Sequence, residues 1–190
     1  MTSNVGIIIG TTREARFADH PAQWIRELIS ERASFAAETI DLRVYPMPLF
    51  SEPQAPAARA PADEVATRWR TRVAELDAYI FVTGEYNRSI PAVLKNALDH
   101  AYYEFNRKPA AFVSYGGNGG VRAIEHLRLI CIELQMACTR NAVHIGVEPY
   151  AAVRDQGRSL SDFPSLNRAA ATMLDELGWW AQTLKTGRGS

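Results

Sequence analysis

The sequence predicts a doubly wound α/β protein: five parallel strands in the order 2-1-3-4-5, with helices on both faces of the sheet. Three observations predict it. Short apolar runs alternate with longer segments of helical apolar spacing, giving the order βαβαβαβαβα. The runs are apolar at successive residues, as in strands buried on both faces. Three strand-to-helix connections are rich in Gly, Thr, Tyr, Asn and Arg, and such a sheet would gather all three at one edge. Ligands of these sheets bind beyond the carboxyl ends of the strands, where the order reverses, here between the first and third strands.

Residues 5–9, closed by Gly10, form the first strand. Residues 21–31 come next as a helix, with Trp24, Ile25, Leu28 and Ile29 at helical spacing. Residues 39–44 read as the second strand, and the Pro- and Ala-rich residues 45–61 as a long loop. Residues 63–76 are helical, with Asp63 and Glu64 suited to a first turn. Residues 78–83 are the third strand, and residues 90–101 put Ile90, Val93, Leu94, Ala97, Leu98 and Ala101 on one helical face. A fourth strand over 110–114, a helix over 121–134 and a fifth strand over 138–145 complete the alternation. Residues 163–184 form a closing helix that faces Leu166, Ala170, Met173, Leu174, Leu177, Ala181 and Leu184 inward. Residues 1–186 are expected as a single domain, and 187–190 as a disordered tail.

Composition narrows the function. Lys plus Arg and Asp plus Glu both number 21, so the formal net charge is zero. Such a balance argues against nucleic acid or an anionic membrane as partner. No apolar run approaches the roughly 20 residues of a membrane span. No basic segment precedes the first apolar run, so a signal peptide is not expected and the location expected is cytoplasmic. Cys131 and Cys138 lack CxxC spacing and read as reduced, buried thiols. His20, His100, His126 and His144 have no metal-ligand spacing, and no metal is expected.

The first unusual connection is Gly10-Thr11-Thr12-Arg13-Glu14-Ala15-Arg16-Phe17. Hydroxyls, arginines and free N–H groups before a helix suit a terminal phosphate. The segment lacks GxGxxG and GxxxxGK[ST], and by itself it reads equally as a capped helix with solvated arginines. The second connection, Thr83-Gly84-Glu85-Tyr86-Asn87-Arg88-Ser89-Ile90-Pro91, ends a buried strand in polar and aromatic residues. It suits a flat heterocycle, or simply a turn before a helix with proline in its first turn. The third, Ser114-Tyr115-Gly116-Gly117-Asn118-Gly119-Gly120, lets the backbone approach a ligand closely, or is a flexible joint.

Together the three segments resemble the NADPH-dependent FMN reductase family of flavodoxin-like proteins, which includes azoreductase-, quinone reductase- and chromate reductase-like enzymes. Gly10-Thr11-Thr12-Arg13 and Arg16 match the family's G-S-T-R-x-x-R loop, with threonine for serine. Thr83-Gly84-Glu85-Tyr86-Asn87 matches its T-P-E-Y-N segment, and residues 90–99 the next helix, ending L-K-N-A-I-D. Ser114-Tyr115-Gly116-Gly117 matches the third flavin loop. The resemblance runs in order over residues 5–147. Two departures stand out. Gly84 replaces proline, which implies a looser turn, and Glu14-Ala15 replaces a common Pro-Gly pair.

The resemblance implies FMN as cofactor and NADPH or NADH as hydride donor. It places Gly10, Thr11, Thr12, Arg13, Arg16 and Phe17 around the flavin phosphate. Gly84, Glu85, Tyr86, Asn87 and Ser89 would line the isoalloxazine, and Ser114, Tyr115, Gly116 and Gly117 would hold it from the other side. The flavin carries the chemistry in a ping-pong scheme, so no side chain is expected as acid or base. The implied acceptors are quinones, azo compounds, flavins or metal ions, with the 45–61 loop and residues 106–108 as pocket walls. A homodimer or homotetramer is the implied assembly. The rival readings are a non-enzymatic flavin-binding or electron-carrier protein, against which the balanced charge argues, and a domain that has lost its flavin.

Overall fold

Runs of buried apolar residues become the three inner strands, β1 (Ser3–Ile9), β3 (Ala78–Gly84) and β4 (Pro109–Tyr115). In the computed structural model, which describes residues 2–189, every residue of β3 and β4 is buried. With β2 (Phe35–Asp41) they form a parallel sheet in the order β2-β1-β3-β4, and the fifth position lies beyond β4. Alternate residues point to opposite faces. Val5, Ile7, Ile9, Ile80, Val82 and Val113 pack under α1 (Asp19–Ser30) and α6 (Pro164–Arg188). Ile8, Tyr79, Phe81 and Phe112 pack under α2 (Glu64–Ala74), α3 (Ala92–Asp99) and α4 (Val121–Glu133). This is the expected doubly wound, flavodoxin-like arrangement.

The differences from expectation have local causes. β2 begins at Phe35 and ends at Asp41, where residues 39–44 are expected as strand. The Asp41 carboxylate accepts from the Arg43 amide and caps a single 3-10 turn, Leu42–Val44. The fifth strand is split into β5 (Ala137–Cys138) and β6 (Val143–Ile145), both parallel to β4. Between them the Arg140 and Asn141 amides donate to the Glu176 carboxylate of α6, at 2.6 and 3.0 Å, instead of continuing a ladder. A helix that the sequence reading does not foresee, α5 (Val147–Gln156), comes after β6.

The expected disordered tail is a correction in part. α6 runs on through Gly187 to Arg188. Arg188 donates to the Arg107 carbonyl at 2.7 Å and to Asp77 at 3.0 Å, and Lys185 meets the same carboxylate at 2.6 Å. Those bonds tie the last turn down; Ser190 lies outside the described residues.

The 45–61 segment has no helix or strand, and its first part is pinned to α3. Asn96 donates to the Pro48 carbonyl and accepts from the Phe50 amide, both at 2.9 Å, and His100 Nε2 lies 2.9 Å from the same carbonyl. No helix among the described residues is long and apolar enough to cross a membrane.

Candidate active site

The carboxyl ends of β1, β3 and β4 present the three unusual connections side by side. In the first, Arg16 does not project toward a ligand. It is 8% exposed, and all five of its donors are used within the protein. Nη1 and Nη2 form a fork onto Asp41 at 2.7 and 2.5 Å. Nε and Nη2 reach Asp19 at 2.9 and 2.7 Å, and Nη1 donates to the Thr11 carbonyl at 2.7 Å. As a direct phosphate ligand Arg16 is therefore a correction. The short spacing that suggests phosphate binding instead lets the guanidinium turn back on its own loop and on the end of β2.

Burial disfavours both charges of this clamp, and their contacts overcome it. Burial lowers the Arg16 pKa, but bonds to Asp41 and Asp19 raise it further, and the guanidinium stays above its usual range. Burial likewise pushes the Asp41 carboxyl up, yet Arg16 and the Arg43 amide hold it below its ordinary value.

Arg43, just past the end of β2, grips the same loop from outside. It donates to the carbonyls of Thr12 at 3.4 Å, Glu14 at 2.8 Å, and Arg13. Carbonyls 11 to 14 thus all face arginine side chains. A trans peptide sets its C=O and N–H antiparallel, so the amides of Arg13, Glu14 and Ala15 face away from Arg43, and that of Thr12 faces away from Arg16. None of these four amides has a protein acceptor among the described residues. Four successive amides without a protein acceptor, just ahead of a helix, are donors open to an anion.

In the second connection, Gly84 is not loose: it ends β3 in register with Tyr115. The next turn is tight. Tyr86 and Ser89 exchange backbone bonds of 2.8 and 3.0 Å, with Asn87 and Arg88 both left-handed (φ 47° and 73°), the two-residue type I′ geometry. The amides at its tip, those of Asn87 and Arg88, are not used by the turn. Ser89 supports the turn from behind, 3.0 Å from His126 of α4. Glu85 also looks backward. Its carboxylate pairs with Arg122 and accepts the Arg122 amide at 3.2 Å, capping α4, whose N-cap Gly120 has no side chain to do so. Tyr86 faces the first connection, its hydroxyl 2.9 Å from Thr11 Oγ1 and its ring under the Arg13 guanidinium at 5.9 Å.

The third connection is shaped from below. Ser114, fully buried, donates to the Gly119 carbonyl at 2.6 Å, so it accepts from His144 Nδ1–H at 2.9 Å. Gly120 (φ 74°) must be glycine, because a Cβ would lie 2.7 Å from that of Ser114. Gly117 has open space where a Cβ would be. Burial lowers the His144 pKa below its ordinary 6.5. The neutral ring is thus the folded form, and its contribution to stability is complete above pH 6.5 and is lost as pH falls through the depressed folded pKa. Urea midpoints between pH 7 and 5 should fall more for wild type than for His144→Asn, and equal slopes would show that His144 is not the titrating group.

These connections enclose a cleft of about 410 Å³. Arg13, Gly84, Glu85, Tyr86, Tyr115, Gly116 and Gly117 of the connections line it, together with Val147, Tyr150, Ala151 and Arg154 of α5. Phe17 packs against two of these rings, its centroid 5.1 Å from Tyr115 and 4.3 Å from Tyr150. The Arg154 guanidinium covers Tyr150 at 5.1 Å and pairs with Asp155.

The α5 residues and Arg43 are what sequence reasoning missed. α5 carries only two buried side chains, Ala152 and Val153, so its periodicity is weak. Gly146 and Gly157 bracket it, and Gly157 (φ 68°) is its left-handed cap, a signal present in the sequence. Two expected walls are corrections. The 45–61 loop leans on α3 and does not line the cleft. Residues 106–108 precede β4 and so lie at its opposite end. There burial lowers the Lys108 pKa to about 8, and its ammonium donates to the Ala74 carbonyl at the end of α2, at 2.8 Å.

Residues 3–148 match the family described as NADPH-dependent FMN reductase. The chain belongs to this family. A relative in Schizosaccharomyces pombe, an NAD(P)H-dependent FMN reductase, is 36% identical over 138 residues, covering 72% of this chain and 69% of that protein. A 2-hydroxy-1,4-benzoquinone reductase of a Burkholderia species is 32% identical over 143 residues, covering 72% and 74%. Among solved structures, a flavoenzyme NAD(P)H:(acceptor) oxidoreductase of Paracoccus denitrificans superposes with a TM-score of 0.74 at 23% identity, covering 96% of this chain and 98% of that one, and so shares its fold. The matched segment carries all three connections, while Tyr150, Ala151 and Arg154 lie beyond it.

Proposed function

We propose that this family member binds FMN in the cleft and oxidises NADPH or NADH at the expense of a small acceptor, with quinones foremost and azo compounds, flavins or metal ions as further candidates. The observation that carries the reading is the run of four acceptor-free amides, residues 12–15, beside a cleft of about 410 Å³ lined in part by Gly84, Gly116 and Gly117. A monophosphate suits these amides, assisted by the Thr12 hydroxyl and the exposed Arg13 guanidinium. A flat ring fits against Tyr86 and the open backbone of Gly117, with the Asn87 and Arg88 amides at its rim.

Bound flavin supplies the redox chemistry, accepting hydride from the nicotinamide and returning two electrons to the acceptor in two half-reactions. The chain's own residues bind and shelter. Phe17, Tyr115 and Tyr150 form an aromatic wall that excludes water from one side. Burial raises the Tyr115 pKa, so its phenol stays protonated as a donor. Glu85 and Ser114 hold the turns rather than the ligand.

The test is the visible spectrum of the protein with added FMN, then with NADPH in the absence of oxygen. Flavin bands that shift on binding and bleach promptly support the reductase. Bound flavin that stays oxidised indicates a carrier or binding module, and protein that takes up no flavin overturns the proposal.

A further inference from the structure

We infer that Arg43 is a positioning residue for the flavin phosphate: it holds the loop's carbonyls outward so that the loop's amides bind the anion. The inference rests on the FMN reading above and extends it to a residue outside the family's phosphate loop.

The geometry is that of a backbone clamp. Arg43 is exposed, and its guanidinium pairs with no carboxylate among the described residues. Its donors go to three successive carbonyls, those of Thr12, Arg13 and Glu14. Arg16 takes the fourth, Thr11, from the buried side. Without Arg43, carbonyls 12 to 14 lose their donor on that side, and no proline between Gly10 and His20 stiffens the loop. Carbonyls free to swing inward would present partial negative charge to the phosphate.

The position of Arg43 is set by the same short turn that ends β2 early. Asp41 accepts from the Arg43 amide at 2.9 Å and at the same time holds Arg16. One carboxylate therefore places both arginines, one on each side of the loop.

Arg43 also adds positive charge near these amides, so positioning and charge must be separated. Lysine keeps the charge but is a point donor without the planar fork that reaches several carbonyls. FMN and riboflavin differ only in the phosphate, and protein fluorescence or flavin quenching reads the affinity of each without turnover. For Arg43→Met, FMN affinity should fall about tenfold, since bonds from a charged donor are each worth that order. Riboflavin affinity should stay within about twofold, a change equivalent to less than one ordinary hydrogen bond. Arg43→Lys should recover less than half of the loss.

If Arg43→Lys binds FMN as wild type does, charge alone suffices and the inference falls. If Arg43→Met binds FMN as wild type does, or loses both flavins equally, it also falls. Wild-type protein that binds neither flavin overturns the functional proposal itself, a result distinct from either of these. Thermal melting of each variant guards against simple unfolding, and Arg43→Lys serves as the measured variant if Arg43→Met does not fold.

Discussion

Asp41→Ala should destabilise the protein by about 3 kcal/mol, the lower end of the cost of removing one partner from a buried ion pair. The Arg16 side chain is 3% exposed, and its fork onto Asp41 is its main compensation for burial. After the substitution only the Thr11 carbonyl and the Asp19 carboxylate remain, and that carboxylate is 52% exposed. Asp19→Ala should therefore cost well under about 1 kcal/mol, as exposed pairs do. Urea unfolding of both variants checks the contrast, and equal costs would show that the clamp is not a buried pair. The sign with pH is also fixed. The folded Asp41 pKa lies below 3.8, so its contribution is present above that value and disappears as pH falls through the folded pKa. Wild type and Asp41→Ala should converge in acid. Because Asp41 also places Arg43, the variant should weaken FMN binding more than riboflavin binding.

Gly84→Ala should cost about 1–3 kcal/mol through overpacking. A Cβ there would sit 2.9 Å from Tyr115 Cε2 and 3.1 Å from Cζ. The ring cannot simply move aside, because it is 7% exposed and neighbours the Phe17 and Tyr150 rings. The strain belongs to the pair, so it should vanish in a Tyr115→Ala background, where Gly84→Ala is expected to be neutral within about 0.5 kcal/mol. A double-mutant cycle by chemical denaturation measures this coupling; additive costs would refute the packing account. The proline common in the family at this position would meet the same ring. In this chain Gly84 is thus matched to Tyr115.

The parallel order, the helix faces and the three connections were legible because each rests on a strong local signal. Residues 78–83 are apolar almost without interruption, and the 90–101 stripe repeats at helical spacing. What escaped was governed by side chains returning to the backbone. Arg43 falls inside a β-like stretch in sequence, and only the Asp41 cap shows that the strand has ended. Arg16 has the residue type and spacing of a phosphate ligand, but its direction depends on Asp41, 25 residues away. The same holds for Glu85, which sits in the cleft motif yet caps a helix 37 residues on. Residue type marks where charge collects, and the folded partners decide which charge remains free.

The split fifth strand has a consequence for how copies of this chain behave when concentrated. Net charge is zero, so repulsion between molecules gives little protection near neutral pH. An open sheet then risks growing by strand addition at its borders. At one border the ladder is broken into pieces of two and three residues, and Glu176 occupies the amides in the gap. The other border, β2, is a continuous seven-residue strand, and there Glu38 carries charge at mid-strand, paired with Arg72. One border resists aggregation by interruption and the other by charge, so neutralising Glu38 exposes the sheet on the side where a template is intact.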